Sequence, residues 1–102
     1  MTGSPGAEEQ AAPLRGIRVV EFTHMVMGPT AGVILGDLGA DVIKVEPLKG
    51  DNTRRLKGSG AGYFPMYNRN KRSIALDLKN PKGRDVALQL IQSADIVLEN
   101  FR

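Results

Sequence analysis

Apolar residues fall into short β-branched runs that alternate with stretches of helical spacing. Ile17 to Phe22, IRVVEF, is short and apolar, as expected of a strand buried in a parallel sheet. The following GPTAGVILGDLGAD reads as a helix. Pro29 suits its first turn, Ala31, Ile34, Leu35 and Leu38 form its apolar stripe, and Gly39 is placed to close it. Asp41 to Glu46, DVIKVE, returns as a second strand and completes a β–α–β unit. From Pro47 to Gly62 the chain is polar and glycine-rich, and so long a loop in a compact domain is more often functional than accidental. Tyr63 to Tyr67 fits either a short helix or an extended connector. Ser73 to Leu78 alternates, with Ile74, Leu76 and Leu78 on one side, and predicts a half-buried strand. Asn80 and Pro81 supply a cap and a first-turn proline for a helix whose stripe is Ala87, Leu90, Ile91 and Ala94. After Asp95, IVLE is a last strand. This alternation predicts an α/β fold, a Rossmann-like parallel sheet with flanking helices and right-handed crossovers. Residues 1–13, MTGSPGAEEQAAP, are expected to be a disordered lead-in to a folded part spanning 14–102.

Composition narrows the function classes. A chain of 102 residues is one domain at most. The formal net charge is only +3, but its distribution is uneven. Lys49, Arg54, Arg55, Lys57, Arg69, Lys71 and Arg72 lie in one segment whose single acid is Asp51, leaving the rest of the chain net acidic. Without cysteine there is no disulfide, thiolate zinc site or catalytic thiol, which fits an intracellular, cytoplasmic protein. One histidine cannot by itself close a metal site, so no metal is expected. No apolar run has the length of a bilayer span, and the N-terminus carries acids where a signal peptide carries bases, so no membrane partner is expected.

Several stretches could carry chemistry. THMVMGPT precedes a helix N-terminus, where backbone N–H groups and the helix dipole favour an anion. The dinucleotide fingerprint G-x-G-x-x-G is missing. Gly28, Gly32 and Gly36 recur at four-residue spacing, which points first to close packing of one helix face and second to an anion site. His24 lies in the same loop, without a sequence-local partner to orient it as a base. Asp51, Thr53 and Arg54 in GDNTRR form either a solvated loop or a segment closing over phosphate, to which arginine forks are suited. Arg69, Lys71 and Arg72 share that ambiguity at the edge of a predicted strand. With Tyr63, Phe64 and Tyr67 nearby, the basic segment also fits a single-strand nucleic-acid platform, although no RNP-type strand or helix-turn-helix is visible. A phosphate-bearing small molecule suits the α/β pattern better. The residues alone describe an anion-binding α/β unit.

LRGIRVVEFTHMVMGPTAGVILGDLGADVIKVEP, GDNTR, NRNKRSIALDLKNPKG and ADIVLENFR follow one another in an order and spacing that resemble the N-terminal part of the class III CoA-transferases. That family includes formyl-CoA transferase, carnitine CoA-transferase and the related α-methylacyl-CoA racemases. The resemblance covers residues 14–102 and implies a coenzyme A (CoA) site on the incomplete N-terminal part of a larger CoA-transferase fold. It implies CoA contacts at Val26 and Met27, at Leu76, Asp77, Leu78 and Lys79, and at Asn100, Phe101 and Arg102. Asn70, Lys71 and Arg72 are expected beside these, with a CoA phosphate as their anion. Where some relatives carry a CoA-touching arginine after the acid ending strand two, this chain has Pro47, so either Lys49 or Arg54 takes over or the nucleotide is held with one fewer cation.

The transferases resemble one another in using an aspartate that attacks the acyl-CoA thioester, a sensible nucleophile for thioester exchange. It lies downstream of the region that this chain matches, and none of Glu21, Asp37, Asp51 or Asp77 corresponds to it. No catalytic residue is therefore assigned, and the chain is expected to be the cofactor-binding front of a longer enzyme and inactive alone. Expected partners are an acyl-CoA and a carboxylic acid, with a homodimer in the complete enzyme and no nucleic acid. The alternatives are a racemase-like enzyme, or a non-catalytic CoA-binding or nucleic-acid-binding module.

Overall fold

The computed structural model describes residues 12–100. Strands β1 (Arg18–Phe22), β2 (Asp41–Glu46), β3 (Lys71–Ala75) and β4 (Ile96–Glu99) form one parallel sheet in the order β3-β2-β1-β4. Helix α1 (Met27–Asp37) connects β1 to β2, short helix α2 (Tyr63–Asn68) precedes β3, and α3 (Pro81–Ser93) connects β3 to β4. The polar loop after β2 folds into two 3₁₀ turns, Asn52–Arg55 and Gly58–Gly60.

An apolar cluster packs on each face of the sheet. On one, Val19, Ala40 and Val42 pack with Leu14, Ile17, Leu35, Ile96 and Leu98. On the other, Val20, Ile43 and Val45 pack with Phe22, Ile74, Leu76, Leu90 and Ala94. Burial on both sides is what the continuous apolar runs of β1 and β2 require. Asn80 caps α3 by accepting from the Lys82 N–H at 2.9 Å, with Pro81 at the first helical position. Gly39, at φ +105°, ends the α1 connection as expected.

Three local expectations change, and one open choice is settled. First, α1 starts at Met27 and buries Pro29, Gly32, Val33 and Gly36, whereas Ile34 and Leu38 of the expected stripe are 54% and 40% exposed. The small face turns inward because the sheet beneath it carries charged side chains and the helix must approach closely. A methyl group on Gly32 would lie 1.9 Å from Glu21 Oε1. Second, β3 begins at Lys71 rather than Ser73, pairing Lys71 with Val42 and Arg72 with Ile43. It ends before Leu78 because Asp77 turns the chain, its carboxylate accepting from Lys79 N–H at 3.0 Å and its carbonyl from Asn80 N–H at 3.1 Å. Third, Tyr63–Asn68 is helical. Fourth, Ala12 and Pro13 belong to the structured lead-in, where Arg15 N–H donates to Ala12 O. The rest of the expected disordered segment lies outside the described residues.

Candidate functional site at the carboxyl edge of the sheet

The strand ends carry two adjoining depressions. The larger, about 420 Å³, is lined by Phe22, Val45 and Leu76 at its floor, by Glu46, Pro47 and Leu48, and by Leu76, Asp77, Leu78 and Lys79, with Lys49 and Lys79 at its rim. It lies where ligands of open parallel sheets ordinarily bind. The smaller, about 130 Å³, is lined by Thr23, His24, Pro47, Gly50, Asp51 and Asn52 and shares Pro47 with the first. Between them they bring together the β1–α1 loop, the turn after β2 and the segment after β3.

Beneath these loops lies a buried layer of charge. The register pairs Glu21 of β1 with Lys44 of β2, both on the face covered by α1. Lys44 Nζ lies 3.0 Å from Asp51 Oδ2 and 3.8 Å from Glu21 Oε2, and it donates to Thr23 O at 2.9 Å. Lys71 Nζ lies 2.8 Å from Glu21 Oε1 and donates to Pro29 O at 2.9 Å, Asn68 Oδ1 at 2.9 Å and Tyr67 O at 3.1 Å. The Thr23 hydroxyl donates to the Glu21 carboxylate. The chain Asp51–Lys44–Glu21–Lys71 thus alternates in sign and carries no net charge. Both lysine side chains and both carboxylates are almost wholly buried.

Asp51 also fixes the turn after β2. Its Oδ1 accepts from the Thr53 N–H at 2.9 Å and from the Thr53 hydroxyl at 2.8 Å, while its own N–H donates to Glu46 Oε1 at 2.7 Å. Glu46 is gripped by the Arg54 guanidinium, with both contacts at 2.7 Å, and that guanidinium lies 3.8 Å above the Phe64 ring. Burial pushes the Glu46 and Asp51 carboxyls up, but hydrogen bonds overcome it, from Arg54 to Glu46 and from Thr53 and Lys44 to Asp51. Both end below their ordinary values of 4.5 and 3.8. Burial lowers the Lys71 ammonium from 10.5, partly offset by Glu21.

An acid-lability prediction follows from those directions. The carboxylate contributions are fully present above the ordinary values and disappear as pH falls through the depressed ones, so the urea midpoint should fall between about pH 5 and about pH 2. Replacing Glu46 by Gln should flatten the profile; an unaltered slope in that variant would refute the attribution.

The expected residues are placed unequally. Leu76, Asp77, Leu78 and Lys79 come together on the larger depression. Val26 precedes α1, and Met27, its first residue, is 84% exposed. Asn100 spans to the β1–α1 loop, accepting from His24 N–H and donating to His24 O, both at 3.0 Å, and its Oδ1 is 3.3 Å from His24 Nδ1. Phe101 and Arg102 lie outside the described residues. Asn70, Lys71 and Arg72 are at the opposite end of β3 from Leu76–Lys79, which corrects the expected adjacency. Asn70, at φ +67°, donates to Gly36 O at the end of α1. Arg72 pairs with Asp41 at 2.6 Å, Arg69 with Asp37 at 2.7 Å, and Lys71 is buried. The basic segment therefore does not form one cationic patch. Folding pairs Arg54, Arg69, Lys71 and Arg72 with the carboxylates of Glu46, Asp37, Glu21 and Asp41, whereas Arg55 is held by Lys49 O and Asn52 Oδ1.

The sequence profile of CoA-transferase family III matches residues 14–102. This chain belongs to CoA-transferase family III. It is 50% identical over 96 residues to a formyl-CoA:oxalate CoA-transferase of Afipia carboxidovorans, and 50% identical over 93 residues to one of Rhodopseudomonas palustris. Those alignments cover 89% and 86% of this chain but 23% and 22% of the relatives. Among solved structures it resembles a CAIB/BAIF family protein from Brucella suis, with TM-score 0.81 and 45% identity over 88% of this chain and 26% of that one. It also resembles Rv3272 from Mycobacterium tuberculosis, with TM-score 0.83 and 46% identity over 90% of this chain and 25% of that one. The chain spans about a quarter of the length of the relatives it matches.

For this family III chain, sequence reasoning missed Glu21 and Lys44 as parts of the site. Their signal was present: a charge set among the apolar residues of each strand, Glu21 in VVEF and Lys44 in VIKV. Among the described residues no helix is long and apolar enough to cross a membrane, and no three acidic or histidine side chains are grouped to hold a metal ion.

Proposed function

We propose that this chain forms the CoA-binding front of an enzyme that moves CoA between an acyl-CoA and a carboxylic acid, as the names of its formyl-CoA:oxalate CoA-transferase relatives suggest. The observation that carries this reading is the larger depression, an apolar floor with lysines at the rim, which gathers all four residues of the Leu76–Lys79 segment. An adenosine ring suits the floor and its phosphates suit the ammonium groups. Lys49 and Lys79 supply that charge and have no carboxylate partner among the described residues, whereas Arg54 is held by Glu46 and Phe64. Lys49 thus replaces the cation that Pro47 lacks. Val26, Met27 and Asn100 border the remainder of the ligand path, and Asn70, Lys71 and Arg72 support it through their own contacts in the fold. The acyl chemistry belongs to residues of the complete, homodimeric enzyme outside this chain. Pairing of Arg54, Arg69, Lys71 and Arg72 with carboxylates of the fold disfavours a nucleic-acid platform.

Calorimetric titration of the natural full-length protein with CoA tests this. CoA should bind, 3′-dephospho-CoA should bind more weakly, and Lys49→Ala with Lys79→Ala should raise the CoA dissociation constant about tenfold or more. Absence of CoA binding, with single-stranded RNA binding that falls steeply with salt, would overturn it in favour of the nucleic-acid module.

A further inference from the structure

Local bonds hold only the end of the β1–α1 loop, where Thr30 donates to Val26 O through its N–H at 2.8 Å and its hydroxyl at 2.6 Å. Met25 lies at φ +64°, a region that non-glycine residues rarely occupy, and such backbone persists only where its surroundings impose it. Here the restraint comes from the other three strands. Lys44 of β2 donates to Thr23 O, at the start of the loop. Lys71, the first residue of β3, donates to Pro29 O in the first turn of α1. Asn100, directly after β4, holds both the N–H and the C=O of His24. Three side chains far apart in sequence thus fix four main-chain groups on either side of Met25.

We propose that Lys44, Lys71 and Asn100 are positioning residues that hold the β1–α1 loop in its ligand-binding shape. Folding alone does not call for such a device. A buried ion pair commonly adds no more stability than apolar side chains of the same volume, because desolvation offsets the Coulomb attraction. What an apolar replacement cannot do is fix the direction of main-chain carbonyls. The glycine pattern agrees: a methyl group on Gly28 would lie 2.7 Å from Asn100 Cγ and 2.9 Å from Thr23 Cβ, so the residue that begins α1 after Met27 is kept small to admit the clamp.

The ligand part of this inference rests on the CoA reading above, and the test separates the two. Lys44→Met with Asp51→Asn removes one ion pair without leaving a lone buried charge; Asn100→Ala opens the clamp at the rim and serves if the first variant does not fold. Both are made in the natural full-length protein, and amide exchange and CoA affinity are measured. Amides of residues 24–28 should exchange about tenfold faster or more while those pairing β1 with β2 keep their protection, and the dissociation constant for CoA should rise about tenfold. Unchanged exchange in folded variants would overturn the clamp, and faster exchange with unchanged CoA affinity would overturn its role in binding. If the unmodified protein does not bind CoA, the proposed function fails, while amide exchange still decides whether these residues hold the loop.

Discussion

Glu21→Ala is expected to cost about 3–5 kcal/mol of folding stability, a large part of the roughly 5–15 kcal/mol that a domain of this size possesses. Glu21 is fully buried and is the carboxylate shared by both buried lysines, at 2.8 Å from Lys71 and 3.8 Å from Lys44. Without it, Lys44 keeps Asp51, but Lys71 keeps only neutral acceptors: Pro29 O, Tyr67 O and Asn68 Oδ1. An ammonium group stripped of its counter-charge in the interior is the costly outcome, more so than the lost methylenes. Glu21→Gln retains the shape and one acceptor and should cost less than the alanine variant, because part of the hydrogen bonding survives. Urea unfolding of both variants supplies the comparison. A loss below about 1 kcal/mol for Glu21→Ala would mean that the layer is hydrated or rearranges, and that its charges are not held as described.

Much of the architecture was legible because it depends on periodicity. β1, β2 and β4 are short β-branched runs, α3 announces itself with Asn80 and Pro81, and their alternation implies a parallel sheet. The errors arose where tertiary contacts overrode local pattern. Ile34 and Leu38 match a helical core stripe, but α1 packs on the face that the spacing of Gly28, Gly32 and Gly36 had pointed to, because the underlying β-sheet carries Glu21 and reaches Lys71. Asp77 truncates β3 through an Asx turn that strict alternation conceals.

The site was legible through motifs and illegible through charge. The Leu76–Lys79 segment falls on the larger depression. The basic run from Lys49 to Arg72 stayed ambiguous between solvated loop and anion site because sequence distance hides its partners: Asp37 and Asp41 lie about thirty positions before Arg69 and Arg72. Lysine and arginine on a linear map look available, and only the fold says which are already paired. Lys71 is the sharpest case, since its neighbours Asn70 and Arg72 are both exposed while its own side chain is 1% exposed. Alternation of strand side chains accounts for the contrast with Arg72, while Asn70 lies just before the strand.

Gly32→Ala is the second large effect, and its sign goes against helix propensity. At an unconstrained helical site alanine in place of glycine stabilises by about 0.5–1 kcal/mol. At Gly32 the added methyl would sit 1.9 Å from Glu21 Oε1, 3.0 Å from Glu21 Cδ and 3.0 Å from Lys71 Cε. Glu21 cannot swing aside, because its oxygens are held by Lys71, Lys44 and Thr23, so α1 must lift from the sheet or the ion pair must open. Overpacking of that kind costs about 1–3 kcal/mol, and partial loss of the Glu21–Lys71 pair adds to it, giving a net destabilisation of about 2 kcal/mol or more. If the obstacle is the carboxylate, the cost must depend on it. In the Glu21→Ala background the atoms nearest the new methyl group are gone, and Gly32→Ala should be at least about 1 kcal/mol less harmful there than in the parent protein. A double-mutant cycle by chemical denaturation measures this. Costs that add within about 0.3–0.5 kcal/mol would show that the glycine is required for some reason other than the buried carboxylate.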